Sequence, residues 1–171
     1  EALMAGAPVG PASWLNVVGS DGRARPVTGS AGATVCLASL YRAYQAGRTL
    51  LLTELQQRSA PVARLCRALE QELLALGVPL VQRLGANAYL TPTRARGFEL
   101  HYDDHCVLVL QLAGRKRWRI HAPTTELPVA RCEGALPEAS VGAPILEPEL
   151  APGDVLYVPR GFPHAAHTTD G

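Results

Sequence analysis

Gly97-Phe98-Glu99-Leu100-His101-Tyr102-Asp103-Asp104 alternates polar and apolar residues through its middle. Read as a strand over 98–103, it puts Glu99, His101 and Asp103 on one face and Phe98, Leu100 and Tyr102 on the other. The second face is the one to pack. The first is polar, and a polar face turned into a barrel interior calls for something to bind. A histidine and an aspartate two residues apart can take neighbouring positions on a metal, with one more ligand to come from a distant strand. Two histidines and one carboxylate make a facial set suited to iron, with one face of the metal left open.

Two histidines compete for the third position. His164 follows Pro163 and opens a strand after the turn Pro159-Arg160-Gly161, which puts it near the mouth of a barrel. His167, three residues on, falls on the opposite face of an unbroken strand. His105 shares parity with His101 and Asp103, but Asp104 and His105 fall where the chain turns. His164 is the expected third ligand.

Outward from this stretch the texture is β. Runs over 86–90, 98–103, 106–112, 116–121, 145–149, 155–158 and 164–168 read as strands. Ala113-Gly114, a long Pro/Gly/Ala stretch over 123–144 and Pro152-Gly153-Asp154 punctuate them. The chain before residue 86 differs. Residues 1–33 are rich in Gly, Ala, Pro and Ser, with strand-like runs at 15–18 and 25–27. Leu37, Leu40, Tyr41 and Tyr44 recur at helical spacing up to Gly47, and 49–54 reads as a strand.

The clearest helix covers 60–76. Ser59 can cap it, Pro61 suits its first turn and Gly77 can end it. Val62, Leu65, Leu69, Leu73 and Leu76 form an apolar face expected to cover a sheet. The whole pattern predicts a mainly β fold with flanking helices, a double-stranded β-helix or jelly roll. Residues 1–85 are its lead-in and 86–171 its core. The chain stops shortly after His164, so the core is expected to be truncated at its C-terminal end and the chain to be a piece of a longer protein.

Lys116 is the only lysine beside fifteen arginines. Lys116, Trp118 and Ile120 alternate with Arg115, Arg117 and Arg119, so one strand face is bulky and apolar with a single ammonium, and the other is a row of guanidinium groups. The row reads as a solvated face. An inward ammonium needs an anionic partner, and the candidate is a carboxylate bound on the open face of the metal. The alternative is a lysine that snorkels to water at the barrel end. Asn87, Tyr89 and Thr91 share one face of the preceding strand and can hydrogen-bond a carboxylate or a substrate. Tyr89 can equally be core, with its hydroxyl at the rim.

Composition narrows the class. With 171 residues, 47% apolar and 18% charged, the chain suits one globular domain. A formal net charge of +1 gives no general attraction to nucleic acid or membrane. Cys36, Cys66, Cys106 and Cys132 are too widely spaced for a zinc ribbon or a dense disulfide framework, which suggests a reducing compartment, the cytoplasm if the Arg-, Ala-, Gly- and Pro-rich composition marks a bacterial source. Apolar runs are far too short to span a bilayer, and no signal-peptide pattern is present.

Asn87-Ala88-Tyr89-Leu90-Thr91-Pro92, Gly97-Phe98, His101-Tyr102-Asp103-Asp104, Leu110-Gln111-Leu112, Gly114-Arg115-Lys116 and Trp118-Arg119 together resemble a JmjC-domain oxygenase. Pro152-Gly153-Asp154, Leu156-Tyr157, Pro159-Arg160-Gly161 and His164 extend the match, which covers roughly 87–164 and is most like the ribosomal-oxygenase branch of the cupin superfamily. The resemblance implies an iron(II)- and 2-oxoglutarate-dependent dioxygenase. Fe(II) falls on His101, Asp103 and His164, and the cosubstrate 2-oxoglutarate on Lys116, with O2 at the remaining coordination position. Asn87 matches a pocket position, and Tyr89 lies beside it.

The implied reaction is hydroxylation of a protein side chain, in this branch that of a ribosomal protein. The alternatives are a peptide or small natural-product hydroxylase and an inactive cupin-like binding module. Removal of an N-methyl group from lysine is chemically open, with no residue here that favours it. The family pattern continues with a further strand, a dimerisation region and a winged-helix region, which implies a homodimer formed through regions absent from this stretch. His105 stands where the family usually has a non-basic residue.

Overall fold

The computed structural model describes residues 14–19, 23–27, 37–132 and 134–169, and among them the chain forms ten strands and two α-helices. Strands β1 (Leu15–Val18), β2 (Ala24–Pro26), β3 (Thr49–Leu52) and β4 (Ala88–Leu90) make an antiparallel sheet in the order β2-β1-β3-β4. Helix α1 (Leu37–Gln45) lays Leu40 against Leu15 and Leu50, while Leu37 and Tyr41 stay exposed. Thus β4, at the start of the predicted core, belongs to the sheet built by the lead-in.

A second sheet centres on β6 (Lys116–His121). Strand β10 (His164–Thr168) pairs with one edge, and β7 (Pro144–Leu146) and β8 (Glu149–Leu150) with the other. Strands β5 (Val107–Leu110) and β9 (Val155–Val158) form an antiparallel ribbon. The ribbon packs Val107, Val109, Leu156 and Val158 against Ile120, Leu150 and Trp118. Each fully buried aliphatic side chain there contributes about 1.5–3 kcal/mol. This core decides which face of β6 turns inward.

The predicted strand at 145–149 is interrupted. Ile120 pairs with Leu146 and Arg117 with Glu149 in one register, but Pro148 has no N–H to donate and only accepts from Trp118 at 2.8 Å. The predicted strand at 98–103 is absent as a regular element. Single bridges join Arg96 to His167 and His101 to His164, so five steps of chain on one side face three on the other. The surplus bulges out, and strict parity is lost. Phe98, expected on the face opposite His101, lies instead with its ring centroid 5.5 Å from that imidazole.

Helix α2 (Ala60–Ala75) corrects two further expectations. Ser59 makes no side-chain cap; its carbonyl accepts the Ala63 N–H instead. The helix does end at Gly77, whose φ of 76° suits glycine. There the Gly77 and Val78 N–H groups return to Leu74 and Leu73, a Schellman closure. The helix does not lay its leucines on a sheet: it packs on the 3-10 turn Leu55–Gln57, leaving Leu65, Leu74 and Leu76 exposed and burying Cys66 and Glu70.

Glu70 takes the Leu84 N–H and the Arg83 guanidinium, each at 2.8 Å, and these bonds hold its carboxyl below the usual range. Folding therefore favours the ionised form. Its contribution is complete above the ordinary carboxylate range and is lost as pH falls through the lowered folded value. Glu70→Gln is expected to show a smaller loss of stability from neutral to acid pH than the unsubstituted protein, read from urea unfolding at both. Equal losses would mean that Glu70 does not carry this linkage.

Among the described residues no helix is long and apolar enough to cross a membrane. Cys66, Cys106 and Cys132 are free thiols, and Cys36 lies outside the described residues.

Candidate metal centre

His101, Asp103 and His164 come together, one donor atom of each lying within 4.8 Å of the others. Three separate devices achieve this. Five consecutive pairs lock β10 to β6, His164 opposite Ile120 and Thr168 opposite Lys116. His101 and His164 then exchange both backbone hydrogen bonds, at 3.2 and 2.7 Å, which sets their rings side by side with centroids 4.4 Å apart. The Gly161 N–H donates to the Asp103 carbonyl at 3.0 Å, so the turn before β10 also holds the aspartate.

Both imidazoles are oriented by their own backbone. His101 Nδ1 lies 2.7 Å from the Glu99 carbonyl and His164 Nδ1 lies 2.9 Å from the Phe162 carbonyl. A carbonyl only accepts, so each Nδ1 carries a proton and Nε2 is the nitrogen left to face a metal. Burial first, then the neighbouring His101, pushes the His164 pKa down and keeps that ring neutral. His164 Nε2 lies 3.8 Å from Asp103 Oδ2. Bonds of about 2.1 Å draw cis donors to about 3 Å apart, a closure within reach of small side-chain rotations. Two imidazoles held by Nδ1 with Nε2 turned to the cluster, and one carboxylate, fit a divalent cation.

Lys116 shares the inward face of β6 with Trp118 and Ile120, and through them with His164. Four residues of strand, about 13 Å, separate its pair from that of His164. Burial lowers its pKa, and it has no hydrogen-bond or ion-pair partner among the described residues. An ammonium so held suits the far carboxylate of a ligand anchored near the histidines.

The residues read as pocket hydrogen-bonders divide. Asn87 precedes β4; its Oδ1 accepts the Glu54 N–H at 3.2 Å and its side chain also bonds Tyr89, while Thr91 lies 3.1 Å from the Thr49 hydroxyl. Tyr89 reaches the site side, edge-on to Phe98 with centroids 5.9 Å apart. It is 45% exposed as a residue, yet burial around the phenol raises its pKa, with Asn87 opposing and the Asp103 charge adding to the rise. His105 bonds Asp104 at 2.9 Å, and His167 faces away from the cluster, opposite Arg117.

Sequence reasoning missed what steadies Tyr102 between the two ligands. Cys132 accepts the Tyr102 N–H at 3.4 Å, and Leu136 donates to the Leu100 carbonyl at 2.7 Å. Both belong to the long connection after β6. Nothing local marks a cysteine in a Pro/Gly-rich loop as a neighbour of a segment thirty residues earlier.

Two histidines and an aspartate thus face one another on a mainly β frame. A family model described as JmjC domain matches residues 54–171, and the chain belongs to that family. It is 39% identical over 148 residues to the bifunctional lysine-specific demethylase and histidyl-hydroxylase NO66 of Drosophila persimilis, covering 86% of this chain and 19% of that protein. It is 39% identical over 137 residues to human ribosomal oxygenase 1, covering 78% of this chain and 20% of the relative. The chain thus spans about a fifth of the length of these curated relatives. Among solved structures it resembles Escherichia coli YcfD in complex with cobalt and 2-oxoglutarate. That match has a TM-score of 0.57 and 21% identity, covers 93% of this chain and 38% of the other, and speaks for the fold alone.

Proposed function

We propose that this chain carries the centre of an iron(II)- and 2-oxoglutarate-dependent dioxygenase that hydroxylates a protein side chain, that of a ribosomal protein. The observation that carries the reading is the convergence of His101, Asp103 and His164 with both Nδ1 atoms tied to backbone carbonyls. Lys116, half-buried on the same strand face, supports 2-oxoglutarate as cosubstrate. Membership of the JmjC family supports the oxygenase chemistry, and the relatives named ribosomal oxygenase and histidyl-hydroxylase support the ribosomal substrate. We further read the sheets as parts of a double-stranded β-helix, with 86–171 as its core and 1–85 as the layer behind it.

His101, Asp103 and His164 would hold the iron, leaving one face for 2-oxoglutarate and dioxygen. Iron(II) with a 2-oxo acid supplies dioxygen activation and the oxidation of a substrate C–H bond. The chain's own residues do the rest. The carbonyls of Glu99 and Phe162 hold the two imidazole protons, so each Nε2 stays a ligand. Lys116 pairs with the distal carboxylate and fixes how the cosubstrate lies. Phe98 and Trp118, flanking the imidazoles, limit water beside them. Tyr89, edge-on to Phe98, offers its hydroxyl to a carboxylate or a substrate beside the cluster.

Anaerobic titration of iron(II) and 2-oxoglutarate into the protein tests this. A charge-transfer absorption is expected, lost in His101→Ala. In Lys116→Ala the 2-oxoglutarate affinity is expected to fall about 10- to 100-fold, the worth of one charge-assisted pair. A folded, iron-loaded protein without the band would overturn the 2-oxoglutarate reading.

A further inference from the structure

The segment that carries two of the candidate metal ligands is held without a ladder. Only single bridges join it to β10, at Arg96 and His101, and residues 102–106 lie in no strand. The backbone groups of Tyr102, between His101 and Asp103, therefore need partners from elsewhere. One thiol meets both. Cys132 Sγ accepts the Tyr102 N–H at 3.4 Å and lies 3.6 Å from the Tyr102 carbonyl. The Gly134 carbonyl, at 3.4 Å, shares the single thiol proton.

The connection that carries Cys132 grips the segment on either side as well. The Leu136 N–H donates to the Leu100 carbonyl at 2.7 Å, one residue before His101. Pro128 and Thr125 leave no room for a side chain at Gly161, whose N–H holds the Asp103 carbonyl. Leu100 and Asp103 are thus fixed by backbone donors and Tyr102 by a sulfur. A thiol is a weak donor and a weak acceptor, so its hold is the one most easily lost. A shift of Tyr102 turns the peptide on each side of it, one joined to His101 and the other to Asp103. Metal donors tolerate little of this, since each must lie within about 0.2 Å of its preferred distance.

We propose that Cys132 is a positioning residue of the metal centre: through Tyr102 its thiol sets the spacing of His101 and Asp103, so that metal affinity and the state of the thiol are coupled. Such coupling is reciprocal. Metal in place shields the thiol, and a blocked or missing thiol weakens the metal. Cys106 is the natural control, an exposed thiol just before β5 whose partner is the Tyr157 hydroxyl. The proposal rests on the reading of His101, Asp103 and His164 as metal ligands, and not on the cosubstrate or the substrate.

The test uses cobalt(II), whose visible absorption bands report the arrangement of its ligands. Cys132→Ala should bind cobalt(II) at least about tenfold more weakly and with altered bands. Cys132→Ser, which keeps a donor and an acceptor on the same Cβ, should recover most of the affinity. In the unsubstituted protein, cobalt(II) should slow alkylation of Cys132 by iodoacetamide at least about fivefold, while Cys106 reacts at an unchanged rate. Mass spectrometry of the two peptides follows both thiols, and this measurement stands even where Cys132→Ala fails to fold. An unsubstituted protein that binds no cobalt(II) would remove the centre and the proposal together. Normal binding with Cys132→Ala unchanged, with Cys132→Ser as impaired as Cys132→Ala, or with Cys132 unprotected would overturn the proposal and leave the centre standing.

Discussion

Replacing His164 by alanine is expected to lower the affinity for cobalt(II), a probe for the iron site, by at least about 100-fold. Loss of a group that merely orients a ligand costs 10- to 100-fold, so loss of a ligand itself costs no less. The effect is large because the ring is prepared in advance. Its Nδ1 proton is held by the Phe162 carbonyl, burial keeps it neutral, and five strand pairs fix its backbone. His167→Ala is the matched control, three residues along the same strand and directed to the other face. Calorimetric titration of cobalt(II) into the three proteins decides the matter. Equal affinity in the His164→Ala protein would remove His164 from the metal set.

Gly161→Ala is expected to destabilise the protein by about 2–4 kcal/mol and to lower its melting temperature by roughly 10 °C. Gly161 has a φ of 84°, which costs an L-residue about 1–2 kcal/mol. A methyl group there would also lie 2.7 Å from Pro128 Cδ and 2.9 Å from the Thr125 carbonyl oxygen. Neither a proline ring nor a backbone carbonyl rotates away, so the loop or the turn must move. The Gly161 N–H holds the Asp103 carbonyl, so the same strain reaches the candidate metal centre. Thermal melting measures the first effect and cobalt(II) affinity the second. A melting temperature unchanged within error would mean that the 122–137 connection does not bear on the turn.

Much of the frame was legible because it rests on local rules. The alternation of Lys116, Trp118 and Ile120 with three arginines predicts a strand, and β6 runs over all of them but Arg115. Glycine at 77 predicts a helix end, and it closes α2. The miss at 98–103 has a plain cause: alternation reports a strand only where a partner keeps step, and β10 offers three steps to the segment's five. The miss at α2 is of the same kind. A heptad-like leucine pattern says that a face is apolar, not that a sheet lies beneath it, and the buried positions are Cys66 and Glu70. The bonds of Asn87 to Glu54 and of Thr91 to Thr49 join positions thirty or more residues apart, beyond the reach of any local pattern.

The sequence by itself determined the residue chemistry: which groups can bind a metal, one lysine among arginines, and the strand and turn tendencies that follow from side-chain shape and backbone freedom. The tertiary structure alone decided the meeting of His101 with His164 across a single bridge. It decided as well the burial that keeps the His164 ring neutral and the fastening of the 92–96 turn to β10. The physical reason is one of range. Alternation and capping act within a few residues, whereas the fastened turn joins Ala95 to Thr168, 73 residues along the chain. Such pairings exist only once the core of Ile120, Leu150, Leu156 and Val158 has set the sheets in register.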